Sequence, residues 1–177
     1  MPSPANMQKP VSVMFVCMGN ICRSPSAEAM FRYHVETGGF GAFIQVASSG
    51  THGYHVGHPA DARSHQTALA RGIDMSAHRA QQFKPEHVEQ FDYILVMDHA
   101  NHEHVMRVCP NGLQHKIHYF LDFAPQLRVK EVPDPYYGGP DGFEHVLDLI
   151  EAASAGLLSD IRTRWMDPPP VAREINT

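Results

Sequence analysis

Apolar residues follow two rhythms along the chain. Val11-Ser12-Val13-Met14-Phe15-Val16 is a nearly continuous apolar run, the pattern of a strand covered on both faces, and further strands are predicted near 43–48, 92–97 and 116–119. Between them the spacing changes to three and four. Ala27, Met30, Phe31 and Val35 mark a helix over 25–36, and helical patterns recur over 60–71 and 99–108. A last helix carries Phe143, Val146, Leu147, Ile150, Leu157, Leu158 and Ile161 on one stripe, with Asp141 and Glu144 spaced as a capping box. Alternating strands and helices imply an α/β fold with a parallel sheet. Residues 1–10 and the Pro-containing tail over 164–177 have no periodicity and read as flexible ends, leaving residues 11–163 as one domain. There is no internal repeat.

Composition narrows the function classes. A chain of 177 residues with 43% hydrophobic content suits one well-buried core. Three cysteines, an odd number, without a signal peptide or a membrane-length apolar run point to a reducing cytoplasm. With a net charge of -5 and Lys and Arg scattered, no nucleic-acid footprint is visible, and no membrane contact is expected.

The chemistry concentrates where the first strand ends. Cys17 and Arg23 stand six residues apart around Met18-Gly19-Asn20-Ile21-Cys22. Five intervening residues let the backbone curl so that its N–H groups point inward, an anion nest reinforced by the positive end of the next helix. Such surroundings favour a cysteine thiolate, the form that attacks phosphorus. Arg23, expected at the rim, offers a planar fork that can hold two phosphoryl oxygens. Ser24 suits the N-cap, followed by Pro25 at the first helical position, and can donate to the Cys17 sulfur as it leaves. Gly19 and Asn20 suit positive-φ positions. In an open α/β sheet this strand end is where ligands bind.

The stretch Cys17-Met18-Gly19-Asn20-Ile21-Cys22-Arg23-Ser24-Pro25 resembles the signature of the low-molecular-weight protein tyrosine phosphatases. The resemblance continues through Ser48-Ser49-Gly50-Thr51, Tyr54-His55-Val56-Gly57, Pro59-Ala60-Asp61-Ala62-Arg63, Phe91 to Asp98 with Asn101, and Val132-Pro133-Asp134-Pro135-Tyr136-Tyr137-Gly138. It implies a three-layer flavodoxin-like domain with a four-stranded parallel sheet in the order 2-1-3-4. It also implies hydrolysis of phosphotyrosine through a phosphocysteine on Cys17, with Arg23 as phosphate clamp and Asp134 as general acid, then base. Pro133 and Pro135 restrict the backbone around Asp134, so that loop can present its carboxyl group at little entropic cost. Met18, Gly19, Asn20, Ile21, Cys22 and Ser24 correspond to the phosphate-binding loop, and Tyr54, Tyr136 and Tyr137 to aromatic walls of the substrate slot. Ser48 and His78 resemble the loop's hydrogen-bonded support, and Asp98 the carboxylate that orients the arginine. Cys22 matches a second cysteine able to trap an oxidised Cys17 as a disulfide. The implied partners are tyrosine-phosphorylated proteins and a cognate tyrosine kinase, with inorganic phosphate and other oxyanions as inhibitors. No metal or cofactor is required.

Other readings stay open at this stage. His99, His102 and His104 invite a metal site, but no Asp or Cys completes a ligand spacing, and a solvated helix face is the better reading. An arsenate reductase of the same fold relays oxidation through two further cysteines, where this chain has Cys109 alone. A protein-arginine phosphatase carries Thr where Ile21 stands. A non-catalytic phosphopeptide-binding module needs neither nucleophile nor acid.

Overall fold

A computed structural model of the chain describes residues 9–135 and 139–166. Four strands form one sheet: β1 (Val11–Cys17), β2 (Ile44–Gly50), β3 (Tyr93–Val96) and β4 (Ile117–Tyr119). The order is β2-β1-β3-β4 and every pairing is parallel, with Cys17 opposite Gly50 at the carboxyl end. This is the doubly wound arrangement implied by the family pattern, and β1 is central because all seven of its residues are buried.

The alternation of side chains along β1 builds the two cores. Val11, Val13, Phe15 and Cys17 face one cluster with Phe31, Phe120, Ile150 and Leu157, whereas Met14 and Val16 face another with Ile94, Val96, Val88 and Val105. Helices α1 (Arg23–Thr37), α2 (Ala62–Leu69) and α5 (Pro140–Ile161) cover the first face; α3 (Pro85–Gln90) and α4 (His99–Val108) cover the second. Phe15 sits between Phe31 and Phe120 in edge-to-face contacts, with centroids 5.8 and 4.8 Å away.

Several element boundaries differ from the sequence expectation for identifiable reasons. Helix α1 begins at Arg23 with Cys22 at its N-cap, and no side chain caps it. Ser24 is therefore inside the helix, its hydroxyl committed elsewhere. The capping box on Asp141 and Glu144 does not form: Gly139 is the N-cap, Pro140 is the first helical residue, and Glu144 instead accepts from Arg71. Helix α2 is shorter than 60–71 because Asp61 caps it, accepting from the amides of Arg63 and Ser64. Helix α3 has only six residues, too few to show a helical period.

Candidate active site

The segment between β1 and α1 is a loop folded over the carboxyl end of the sheet. Asn20 adopts φ 57, the left-handed conformation expected of it, while Gly19 keeps a negative φ. A Cβ at Gly19 would stand 3.0 Å from Cδ2 of His55, so that side chain would have to shift to admit one. Gly50 is more tightly constrained, because its Cβ would meet the Met18 carbonyl oxygen at 2.7 Å and the Asn20 amide nitrogen at 3.0 Å. The loop thus rests directly on the end of β2. The carbonyls of Cys17, Met18 and Ile21 accept from the amides of Thr51, His52 and Asp61. Among the described residues, no backbone carbonyl accepts from the amides of Met18 to Cys22, so those N–H groups remain available to an anion.

Asn20 holds the loop together. It is fully buried, and its amide group donates to Ser24 Oγ at 2.7 Å and Ser48 Oγ at 2.9 Å. Its Oδ1 accepts from the Gln81 amide at 2.9 Å, and its carbonyl accepts from His78 Nε2 at 2.7 Å. Ser24 Oγ, which accepts from Asn20, lies 3.0 Å from Cys17 Sγ and 3.4 Å from the Ser49 carbonyl, so its single proton has two acceptors within reach. Its oxygen thus serves the Asn20 side chain and no first-turn amide of α1.

Arg23 is buried rather than at the rim, with 4% of its side chain exposed. Nη1 donates to Asp98 Oδ2 at 2.6 Å and to the Val132 carbonyl at 3.0 Å, and Nη2 lies 3.7 Å from Asp134 Oδ2. Burial alone would lower the guanidinium pKa, but Cys17, Asp98 and Asp134 outweigh it and push the value up. Asp98 has two tasks: its Oδ1 caps α4 by accepting from the Asn101 amide at 2.8 Å, and its Oδ2 orients Arg23. Cys22 is held as a protonated thiol. Burial, aided by the negative charge of Asp61, Cys17 and Asp134 and only partly offset by a hydrogen bond with Ser64, pushes its pKa up from 9.0 to about 12.

Cys17, Met18, Gly19, Ile21, Cys22, Arg23, Tyr54, His55 and Asp134 line one cavity of about 350 Å³. Of the sequence candidates, Asn20, Ser24, Ser48, His78 and Asp98 stand behind it as the hydrogen bonds above describe. Tyr54 is 76% exposed at the mouth and stacks on His52, with centroids 5.4 Å apart. Tyr136 and Tyr137 lie outside the described residues. Among the described residues, no group of three or more His, Cys, Asp or Glu is arranged to hold a metal. His99 and His102 instead contact Tyr119, and His104 lies beside His52.

Sequence reasoning missed four contributors. Glu28 accepts from Ser48 Oγ at 2.6 Å and from Arg32 at 2.6 Å, so the polar chain continues from Asn20 to the back of α1. The spacing of Ser24, Glu28 and Arg32 at four residues on one helix was the available signal. Gln81 donates its side-chain amide to the Ser48 carbonyl at 2.9 Å, His55 packs on Gly19, and the Val132 carbonyl binds Arg23. These contacts join segments far apart in sequence, and nothing local announces them.

Comparison with known proteins agrees with this geometry. The family model for low molecular weight phosphotyrosine protein phosphatase matches residues 12–165. A low molecular weight phosphotyrosine protein phosphatase from Schizosaccharomyces pombe is 44% identical over 138 residues, covering 77% of this chain and 88% of that protein. A low molecular weight protein-tyrosine-phosphatase from Streptomyces coelicolor is 40% identical over 153 residues, covering 85% and 93%. Among solved structures, a protein tyrosine phosphatase from Entamoeba histolytica with Hepes in its active site superposes with a TM-score of 0.84 at 35% identity, covering 86% of this chain and 97% of that one. With the loop, the sheet order and these matches in agreement, the chain belongs to the low molecular weight phosphotyrosine protein phosphatase family.

Proposed function

We propose that the domain over residues 11–163 is a protein-tyrosine phosphatase that works through a phosphocysteine intermediate. The observation that carries this reading is the convergence of Cys17, Arg23 and Asp134 on one cavity floored by a backbone anion nest. In the first step the Cys17 thiolate attacks phosphorus in line, a P–S bond forms and the P–O bond to the tyrosyl ring breaks. The carboxyl proton of Asp134 passes to the departing phenolate oxygen. Arg23, already fixed by Asp98 and Val132, binds two of the phosphoryl oxygens without having to be ordered first. In the second step the Asp134 carboxylate takes a proton from water, the resulting hydroxide oxygen attacks phosphorus, and the P–S bond breaks to give phosphate and the thiolate. Ser24 Oγ donates to that sulfur as negative charge returns to it.

Substrate class follows from the walls. Ile21 and Tyr54 present apolar and aromatic surface to an aryl phosphate, and a hydroxyl for a guanidinium is lacking at Ile21, which favours phosphotyrosine over phosphoarginine. Cys109, the C-cap of α4, packs against the second core and does not support an arsenate-reducing relay. Tyrosine-phosphorylated proteins are the corresponding partners, a tyrosine kinase the source of their phosphate, and phosphate or similar oxyanions the expected inhibitors. Three free thiols and the lack, among the described residues, of a helix able to cross a membrane support a cytoplasmic setting. Redox protection of Cys17 fits the same setting. Peroxide oxidises Cys17 to a sulfenic acid, Cys22 sulfur displaces water from it, and the disulfide is returned to thiols by a cellular dithiol.

The test is steady-state hydrolysis of 4-nitrophenyl phosphate and of phosphotyrosine, phosphoserine and phosphoarginine peptides, with EDTA present, by the parent and Cys17→Ser. Turnover of the aryl and phosphotyrosine substrates that survives EDTA and vanishes in Cys17→Ser is the expected result. Near-normal turnover by Cys17→Ser removes the mechanism, and phosphopeptide binding without turnover by the parent makes the domain a binding module.

A further inference from the structure

The segment that brings Asp134 to the cavity leaves a short 3-10 turn at Pro125–Leu127 and runs as irregular chain past the carboxyl end of the sheet. Its attachment is concentrated in three successive residues. Val132 donates its amide to the Met97 carbonyl at 2.8 Å and gives its own carbonyl to Arg23. Glu131 accepts from the His99 amide at 3.0 Å, at the first turn of α4. Lys130 places Nζ 4.5 Å from the ring centroid of Tyr119.

That ring is built to receive a cation. Tyr119 ends β4 and is only 8% exposed, so its position is set by the sheet. His102 stacks on it with centroids 4.8 Å apart and 13° between planes, and His99 Nδ1 holds its hydroxyl oxygen at 3.1 Å. Burial first, then His99 and Lys130, lower the His102 pKa, so a neutral imidazole shares the ring with Lys130 and does not repel it. The stack therefore joins α4, β4 and the acid segment at one point, four residues before Asp134. The hydrogen bonds at Val132 tie the segment to Met97 and Arg23, and the Lys130 contact ties it to Tyr119.

We propose that Lys130, seated on the Tyr119–His102 stack, is a positioning residue that sets the aim of the Asp134 carboxyl group at the leaving-group oxygen. This rests on the reading of Asp134 as general acid, and it extends that reading by naming what aims the acid. The distinguishing property of an aimed acid is its dependence on the leaving group. 4-Nitrophenolate departs readily without a proton and phenolate does not, so poor aim slows phenyl phosphate more than 4-nitrophenyl phosphate. A general loosening of the fold slows both alike.

The experiment measures kcat/KM for both substrates in the parent, Lys130→Ala, Lys130→Arg and Asp134→Ala, and compares the ratio of 4-nitrophenyl to phenyl phosphate. Because kcat/KM stops at the first irreversible step, it reports transfer to Cys17 and not hydrolysis of the intermediate. Removing an exposed cation–π contact corresponds to about a two- to fivefold loss of the aimed population, so the ratio should rise about two- to fivefold in Lys130→Ala. Lys130→Arg, which keeps a cation over the ring, should return to the parent ratio. Asp134→Ala should raise the ratio further. A rise of less than twofold in Lys130→Ala, or an equal rise in Lys130→Arg, overturns the proposal while the acid assignment stands. An unchanged ratio in Asp134→Ala overturns the acid assignment itself, and the proposal with it.

Discussion

Gly50 is the residue whose replacement should separate the shape of the phosphate loop from its chemistry. A Cβ there lies 2.7 Å from the Met18 carbonyl oxygen and 3.0 Å from both the Asn20 amide nitrogen and the Gly19 carbonyl carbon, where ordinary contacts begin at 3.4 Å. All three are backbone atoms, so no flexible side chain can swing away. Nor can Gly50 retreat, because its amide donates to Gln81 and its carbonyl accepts from Phe83. The loop must therefore move by several tenths of an ångström, carrying the amides proposed to bind the phosphoryl oxygens. Misplacement by about 1 Å costs about 100-fold in rate, so Gly50→Ala should lose about 10- to 100-fold in kcat/KM. Its affinity for vanadate should weaken in parallel. Overpacking of this kind costs about 1–3 kcal/mol, a fall in Tm of about 2–12 °C for a domain of this size. Gly41→Ala, whose Cβ meets only Glu36 Cγ at 3.8 Å, is the matched control and should stay near the parent. Kinetics on 4-nitrophenyl phosphate, vanadate inhibition and thermal unfolding give the three readouts. A folded Gly50→Ala protein with kcat/KM and vanadate affinity within twofold of the parent refutes the close seating of the loop on β2.

Two further outcomes follow from the charges around the site. Asp98→Asn keeps an oxygen able to cap α4 but takes the negative partner from a buried guanidinium; it should cost about 3 kcal/mol and at least tenfold in kcat/KM, and a Tm within 2 °C of the parent with normal kinetics counts against that ion pair. Burial raises Cys22 from 9.0 to about 12, and raises Tyr93 from 10.0 to about 12. Both groups are neutral when protonated, so the stability they supply is complete below about pH 9 and disappears as pH rises through the folded values near 12. Urea unfolding at pH 8, 10 and 11 should show a steady decline that Tyr93→Phe makes shallower. Constant stability to pH 11 contradicts it, as does alkylation of Cys22 by iodoacetamide in the folded protein at pH 8.

How much of this was legible in sequence depended on how local each signal was. The strand, nest and helix from Val11 to Val35 form one continuous stretch, and the spacing of Cys17 and Arg23 already implies an anion site there. The parallel sheet was legible because apolar runs and helical periods alternate, whereas its order came through the family pattern. Helix ends were read less well. Ser24 looks like an N-cap by type, but the helix begins one residue earlier, at Arg23, and the Ser24 oxygen accepts from the Asn20 side chain instead of from a first-turn amide. Asp141 and Glu144 have the spacing of a capping box, but Arg71, brought by a distant turn, captures Glu144 at 2.6 Å and Asp148 at 2.9 Å. Gln81 carried no pattern at all, since its partners are tens of residues away, and Glu28 showed only its four-residue spacing to Arg32 and not its bond to Ser48.

The same contrast explains why the loop can be stiff without being regular. Five residues without repeating backbone hydrogen bonds would ordinarily sample many conformations, at an ordering cost of about 1–2 kcal/mol per residue. A non-glycine residue at φ 57 adds strain of about 1 kcal/mol or more. Here those costs are met by Asn20, whose side chain and carbonyl bond to Ser24 in α1, Ser48 in β2, and Gln81 and His78 in the connection between α2 and α3. Each of those partners is itself fixed, Ser48 by β2 and Glu28, Gln81 by its bonds to Gly50 and to the Ser48 carbonyl. The amides of the nest are thus left without acceptors while their directions are held by everything behind them. That is the condition for binding an oxyanion with little rearrangement: the ordering free energy is supplied at folding, and on the proposed function a phosphoryl group arriving beside Cys17 would complete hydrogen bonds that the loop cannot make for itself.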